Sequence, residues 1–310
     1  MMTIYRSIND LIGHTPLLEI TQFSLPKGVR LFAKLEFYNP GGSIKDRLGR
    51  VFIEDALAKG HLQEGGTMIE PTAGNTGIGL AVAALKKNIS VIFCVPEHFS
   101  REKQVIMQAL GAKIVHTPRE EGMQGAIDQT NELLENIPNS FSPKQFATFT
   151  NPLAYYRTLA PEIWSDLTGE VDIFVAGAGS GGTFMGVSRY LKEKNPKIKT
   201  VIVEPEGSII GGGEAGPHET EGIGMEFLPP FVDRSYMDAI HTVSDKDAFS
   251  TVAALARKEG LLVGSSSGSA MFAALKEAEQ AEEGTTIVTV FPDSSDRYLS
   301  KAIFRKMDNR

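Results

Sequence analysis

Cysteine is almost absent from this chain. Among 310 residues there is one, Cys94, in "VIFCVPE", which excludes an internal disulfide and a thiolate metal cluster. Its apolar, strand-like setting marks it as a buried structural thiol. The six histidines, at 14, 61, 98, 116, 218 and 241, show no ligand spacing to one another or to the cysteine, so no metal site is expected. Long apolar runs are missing too: none approaches the roughly 18 residues that a membrane span needs. Basic residues are in deficit, with 31 Lys and Arg against 38 Asp and Glu for a net charge of -7, the opposite of a general nucleic-acid surface. The opening "MMTIYRSINDLIGHTP" has neither a basic n-region nor an apolar h-region, so no signal peptide and a cytoplasmic setting are expected. Internal repeats and low-complexity segments are also lacking.

What remains is an ordinary globular composition, 42% hydrophobic and 22% charged with 31 glycines and 16 prolines, long enough for one large or two medium domains. Short β-rich runs, "TMIE", "VIFCVP", "AKIVHT", "DIFVAG", "KTVIVEP" and "TIVTVF", alternate with helical patterns such as "NTGIGLAVAALKKN", "REKQVIMQALG", "GAIDQTNELLEN" and "GTFMGVSRYLKEKN". This βαβα rhythm predicts an α/β fold with parallel sheets, and the near-continuous apolarity of the strands predicts burial on both faces. Residues 205–233 form a long stretch without clear periodicity, and loops of that length in compact α/β domains are usually functional. The polar "NIPNSFSPKQF", residues 136–146, is the best candidate for a crossing between domains.

"NPGGSIKDR", residues 39–47, lies between a strand-like "LFAKLEF" and a helical "LGRVFIEDALAKG". Ser43 is a plausible N-cap, which puts Lys45 in the first turn, where the helix macrodipole disfavours a cation. Most lysines are solvated, and the turn lacks the spacing of a Walker A loop. A helix start and partial burial also lower a lysine's pKa, however, which makes the amine a nucleophile toward carbonyls. The turn alone does not decide between these.

Three further glycine-rich turns lead from strand-like runs into helices. "VAGAGSGGTFMG" crowds backbone N–H groups at a helix start, as a phosphate site does. It also matches G-x-G-x-x-G through Gly177, Gly179 and Gly182, with Glu204 about 20 residues on, where a dinucleotide-binding domain keeps its ribose acid. On that match alone an NAD(P)-dependent oxidoreductase is a serious reading. "EPTAGNTGIGLA" gathers Thr72, Gly74, Asn75 and Thr76 at one helix start, a carboxylate cradle for which a dinucleotide domain has no use. "VGSSSGSAMFAAL" places three serines where one would suffice as a cap. A nucleophilic lysine, a phosphate cradle, a carboxylate cradle and a serine-rich helix start together fit pyridoxal 5'-phosphate chemistry on an amino acid.

"KLEFYNPGGSIKDR", "EPTAGNTGIGLA", "GAGSGGTFMG", "EGLLVGSSSG" and "FPDSSDRYLS" occur in the order found in the cysteine synthase/cystathionine β-synthase family. Its members are pyridoxal-phosphate enzymes of fold type II, like the tryptophan synthase β chain. With "LIGHTPLLEI" the resemblance covers essentially the whole chain, and five motifs in register outweigh a lone G-x-G-x-x-G. The resemblance implies two three-layer α/β domains with parallel-rich sheets and the cofactor in the cleft. The smaller, residues 36–146, would carry the substrate loop; the larger, residues 1–35 plus 147–310, would hold the cofactor phosphate. Lys45 would be the Schiff-base lysine and catalytic base, Asn75 would bind the cofactor's 3'-oxygen, and Gly179, Ser180, Gly181, Gly182 and Thr183 would hold its phosphate. Ser266 would face the pyridine nitrogen, where a neutral partner weakens the ring as an electron sink and favours β-elimination. Thr72, Ala73, Gly74, Asn75 and Thr76 would bind the substrate carboxylate, with Gln145 as a further contact.

The implied reaction is a two-stage β-replacement on O-acetylserine with ping-pong kinetics. Two departures bear on the thiol. Position 73 is Ala where cysteine synthases typically have Ser, and "ETEGIGMEFLPPF" carries Glu221 and Glu226 where they have an amide or small residues. In that segment the chain is more similar to cystathionine β-synthases, while its end at Arg310 implies no regulatory nucleotide-binding module. It most resembles the short bacterial group that makes cystathionine from O-acetylserine and homocysteine, with sulfide and cysteine synthesis as the alternative. Either glutamate could receive the homocysteine ammonium. A homodimer is implied, and serine acetyltransferase as a possible partner. A purely peptide-binding role is disfavoured by the intact Lys45.

Overall fold

A computed structural model describes residues 4–97, 99–301 and 303–304; His98 and the first three residues of the N-terminal stretch lie outside these. In chain order, β1 (Leu17–Glu19) and β2 (Arg30–Leu35) precede α1 (Lys45–Ala58), β3 (Thr67–Pro71) and α2 (Asn75–Ala84). Then come β4 (Ser90–Pro96), α3 (Arg101–Ala109), β5 (Lys113–Thr117), α4 (Gly122–Asn136) and β6 (Ser140–Phe141). Next follow α5 (Thr150–Arg157), α6 (Leu159–Asp166), β7 (Ile173–Gly177), α7 (Gly182–Lys194) and β8 (Lys199–Pro205). The chain continues with β9 (Ala239–Val243), α8 (Asp245–Glu259), α9 (Ser265–Glu279) and β10 (Thr286–Phe291). The contacts divide it into two compact units: the described residues up to Gly13 with Asn39–Thr150, and His14–Tyr38 with the described residues from Asn151 on. Both are α/β with parallel-rich sheets flanked by helices, the class that the strand and helix rhythm predicts.

In the smaller unit four parallel strands run in the order β5-β4-β3-β6. Cys94 is fully buried with Ile69, Ile92 and Ala126, the buried thiol that its strand context predicts, and that burial pushes its pKa up. Helix α2 is buried at every residue from Thr76 to Ala84, which explains a sequence apolar all round rather than on one stripe. It stops before the predicted end of the run because Lys86 and Asn88 adopt left-handed backbone, φ 61° and 51°. The stretch 136–146 contributes β6, which pairs with β3 through only Ser140 and Phe141.

The larger unit holds a six-stranded sheet, β1-β2-β10-β7-β8-β9, antiparallel only between β1 and β2. Its core joins Leu31, Ala33, Val175, Val201, Val203, Ile287 and Phe291 of the strands to Met271 and Ala274 of α9. The edge strand β9, "AIHTV", is only partly covered; its polar alternate positions keep it out of the apolar rhythm. Because β7, β8 and β10 are mutually parallel with β2, the segments after β7, β8 and β10 emerge at one edge of the sheet, the usual ligand edge of α/β sheets.

Candidate active site

In the smaller unit, two helices start side by side. The turn before α1 is closed by Asp46, which is buried and accepts the Gly41 N–H at 2.5 Å. The helix begins at Lys45, and its N-cap is Ile44 rather than the predicted Ser43; Ser43 Oγ still accepts the Lys45 N–H at 3.3 Å. Gly49 and Gly79 let α1 and α2 meet backbone to backbone. A Cβ at Gly49 would collide with the Gly79 carbonyl, and one at Gly79 with the Lys45 carbonyl. This contact holds half-buried Lys45 beside the helix that opens with Asn75.

Thr72 and Ala73 before α2 and Thr76 in its first turn are all under a tenth exposed. Gly74 caps α2 in extended conformation, with no side-chain cap and no acid in the first turn. Thr76 Oγ1 donates to Gln145 Oε1 at 2.8 Å, so the helix start and residue 145 are joined although 69 positions separate them. Glu70, the last residue before Pro71, is fully buried and accepts from Ser142 Oγ (2.7 Å), Gln145 N (3.1 Å) and Lys144 N (3.3 Å). Burial pushes its carboxyl above the ordinary range, and the bonds from Ser142, Gln145 and Lys144 pull it back only in part. The sequence singles out Thr72–Thr76 and Gln145 but not Glu70, whose only local signal is Glu-Pro at a strand end.

In the larger unit the loop after β7 opens α7. Gly181 sits at φ 80°, left-handed, and caps the helix with no side-chain bond and no acid in the first turn. A Cβ at Gly182 would collide with Asn151 Oδ1. Asn151 Nδ2 donates to Ser180 Oγ at 3.0 Å, so the Ser180 hydroxyl hydrogen is directed to another acceptor. Asn151 is a residue that sequence reasoning missed. A helix start without a side-chain cap, a backbone narrowed by glycine and an orientated hydroxyl form a donor set that fits a phosphate. The first turn of α9 is similar: Gly264 caps it without a side chain, no acid is present, and Ser266 is 4% exposed.

Residues 206–233 lack strands and α-helices but are pinned at several points. Glu204, fully buried, accepts from Ile210 N (2.8 Å), Gly211 N (2.9 Å) and Thr242 Oγ1 (2.8 Å). Its carboxylate is thus engaged within the protein and is unavailable to a ribose, which removes the physical basis of the dinucleotide reading. Asp245 accepts from Glu219 N (2.7 Å) and Thr220 N (2.9 Å). The Glu221 N–H donates to Ser265 Oγ at 3.0 Å, and the Glu221 carboxylate pairs with Lys301. A Cβ at neighbouring Gly222 would lie 4.0 Å from Ser266 Oγ. The Glu221 backbone is therefore tied to the first turn of α9, whereas Glu226 is exposed and makes no ion pair among the described residues. No cluster of three or more metal-ligating side chains occurs among the described residues.

All but one of the site residues named from sequence thus fall into two groups. Lys45, Thr72–Thr76 and Gln145 gather in the smaller unit. Gly179–Thr183, Ser266 and Glu221 border the ligand edge of the larger unit's sheet, and Glu226 stays outside them. Comparison with known proteins gives this arrangement its family. A relative from Bacillus subtilis (strain 168), "O-acetylserine dependent cystathionine beta-synthase", is 61% identical over 98% of this chain and 99% of its own length. A "cysteine synthase" from Helicobacter pylori is 53% identical over 98% of this chain and all of its own. A crystal structure of an O-acetylserine dependent cystathionine beta-synthase from Helicobacter pylori superimposes with a TM-score of 0.92 at 53% identity, covering 98% of this chain and 100% of that one. The model of the "pyridoxal-phosphate dependent enzyme" family matches residues 8–293, and the chain belongs to that family.

Proposed function

We propose that the protein is an O-acetylserine-dependent cystathionine β-synthase, joining O-acetylserine to homocysteine with release of acetate. The observation that carries this reading is the 61% identity along almost the full length of both chains to the Bacillus subtilis relative of that name. Pyridoxal phosphate, when bound, supplies the aldehyde that takes up the substrate amine and a ring that draws charge from the substrate Cα as acetate departs. Gly179–Thr183 hold its phosphate on the start of α7, with Ser180 orientated by Asn151. Ser266 meets the ring nitrogen with a neutral hydroxyl, and Asn75 meets the 3'-oxygen. Thr72–Thr76 and Gln145 take the amino-acid carboxylate on the start of α2. Lys45 would hold the aldehyde, and its amine would move the proton at the substrate Cα. Glu221, whose carboxylate pairs with Lys301, receives the ammonium of the incoming homocysteine in exchange for that lysine.

Cysteine synthesis from sulfide is the second reading, favoured by the relatives named for it at 53% and 52% identity. Sulfide has no ammonium, so Glu221 separates the two. The expected result is a higher kcat/KM for homocysteine than for sulfide in wild type. Glu221→Gln should reduce the homocysteine value by about tenfold or more and leave the sulfide value unchanged, with Glu226→Gln near wild type for both. A wild-type preference for sulfide replaces the reading by cysteine synthase. Lys45→Ala should abolish both the near-visible absorbance of the bound cofactor and turnover.

A homodimer in the cytoplasm completes the proposal. Ile4, Tyr5, Ile8 and Leu11 are 85%, 55%, 40% and 41% exposed, an apolar row that a second copy would cover. A serine acetyltransferase C-terminus would be recognised through its carboxylate at the same Thr72–Thr76 cradle.

A further inference from the structure

We infer that Glu70 is a positioning residue for amino-acid binding, setting Gln145 and, through it, the carboxylate cradle of α2. This rests on the proposed reading of Gln145 and Thr72–Thr76 as contacts of the substrate carboxylate. The turn 142–145 closes around the Glu70 carboxylate. It follows β6, which pairs with β3 at only two positions, and Lys144 within it holds a left-handed backbone at φ 53°, costly for a residue with a Cβ. Glu70 spans the turn: one carboxylate oxygen takes the Ser142 hydroxyl and the Lys144 N–H, the other the Gln145 N–H. Gln145 Oε1 then receives the Thr76 hydroxyl at 2.8 Å. Thr76 lies six positions beyond Glu70 along the chain, so the contacts close a ring through β3, the 142–145 turn and the first turn of α2. A carboxylate fits this ring because every group aimed at it is a donor. An amide of the same shape offers one oxygen and one NH2, so one backbone N–H is left facing a donor inside the protein.

Glu70→Gln in the cofactor-loaded enzyme should raise KM for O-acetylserine by about tenfold to a hundredfold, the range expected for one unsatisfied buried donor. Its kcat should stay within about threefold, since Glu70 touches no reacting atom. The rise in melting temperature on adding L-serine, which reads binding without turnover, should shrink in parallel. Gln145→Ala should raise KM alone, and adding Glu70→Gln to it should change KM little further, because the effect passes through Gln145. Where Glu70→Gln does not fold, Ser142→Ala removes one of the three contacts and should raise KM by about threefold. An unchanged KM in the soluble Glu70 or Ser142 variant overturns the proposal. So does a Glu70→Gln effect that persists in full on the Gln145→Ala background, which would mark a general loss of structure. If Gln145→Ala itself leaves KM unchanged, the reading of residue 145 as a substrate contact fails too. If it raises KM while Glu70→Gln does not, that reading stands and this inference alone is wrong.

Discussion

Helix α8 and helix α7 lie in the same unit and begin in opposite ways. Helix α8 opens with Ser244, whose hydroxyl accepts the Asp247 N–H at 3.1 Å, and it has Asp245 and Asp247 in its first turn. Helix α3 of the smaller unit does the same with Ser100 and Glu102. Helix α7, like α2 and α9, opens on a glycine that makes no side-chain cap and carries no acid in its first turn. Against glycine a Ser or Asp cap adds a few tenths of a kcal/mol, and a first-turn acid about 0.3–1 kcal/mol. The three glycine starts forgo both, and they are the three that the proposed function assigns to phosphate, carboxylate and ring nitrogen. Helix α4 also lacks a side-chain cap and a first-turn acid, but its N-cap is Glu121 and not a glycine, so it is the glycine cap that sets the three apart.

The strongest way to break this contrast is to make α7 begin as α8 does. Thr183→Asp places an acid in the first turn of α7. The apoprotein should hold or gain stability, by about 0.3–1 kcal/mol from the macrodipole. Affinity for pyridoxal phosphate should fall by on the order of a hundredfold or more, because like charges brought together cost several kcal/mol. Cofactor titration followed by absorbance, beside thermal melts of the apoprotein, reads both signs at once. Retained cofactor affinity would remove the phosphate from this helix.

The opposite swap has a smaller, purely structural effect. Ser244→Ala should cost about 1 kcal/mol of stability, a lower melting temperature, with kcat and both KM values unchanged. A loss of activity from this capped helix would mean that capping does not separate structural from functional helix starts.

The sequence makes one side of this contrast legible and hides most of the other. Glycines, hydroxyls and the displaced Lys45 stand out because a helix start has a local grammar of caps and acids, and these segments violate it. The class of fold follows from strands apolar on both faces, such as "TIVTVF" of β10, buried at every residue. What holds these helix starts in place is not local. Asn151 reaches Ser180 across 29 positions, Glu70 reaches Gln145 across 75, and Lys301 reaches Glu221 across 80. None of these pairs belongs to a period that a sequence displays. Glu204 shows the risk most clearly: its place after "KTVIV" imitates a ribose-binding acid, and only its partners at 210, 211 and 242 reveal that its carboxylate is already satisfied. Glu70 and Glu204 share the pattern Glu-Pro at a strand end, and both accept backbone N–H groups from a later segment. That recurrence is visible in the sequence, but its meaning is visible only in the fold.

The smallest expected effect gives the sharpest test, because it separates steric need from anion binding. At Gly182 a side chain would strike Asn151, so a substitution there mixes the two causes. At Gly74 the backbone is extended, φ -118° and ψ -158°, a conformation that any residue adopts, and a Cβ there would meet no atom within 4 Å. Gly74→Ser therefore adds a cap without strain. Relative to glycine a serine cap improves a helix by only a few tenths of a kcal/mol, so the melting temperature should rise by about a degree at most. The new hydroxyl accepts a first-turn N–H that the substrate carboxylate would otherwise take. KM for O-acetylserine should rise by about threefold to tenfold, the loss of part of one hydrogen bond to a charged group, with kcat little changed. A melting temperature that rises while KM stays fixed would show that glycine at this cap has no bearing on carboxylate binding. The comparison of helix starts would then hold for the phosphate loop alone.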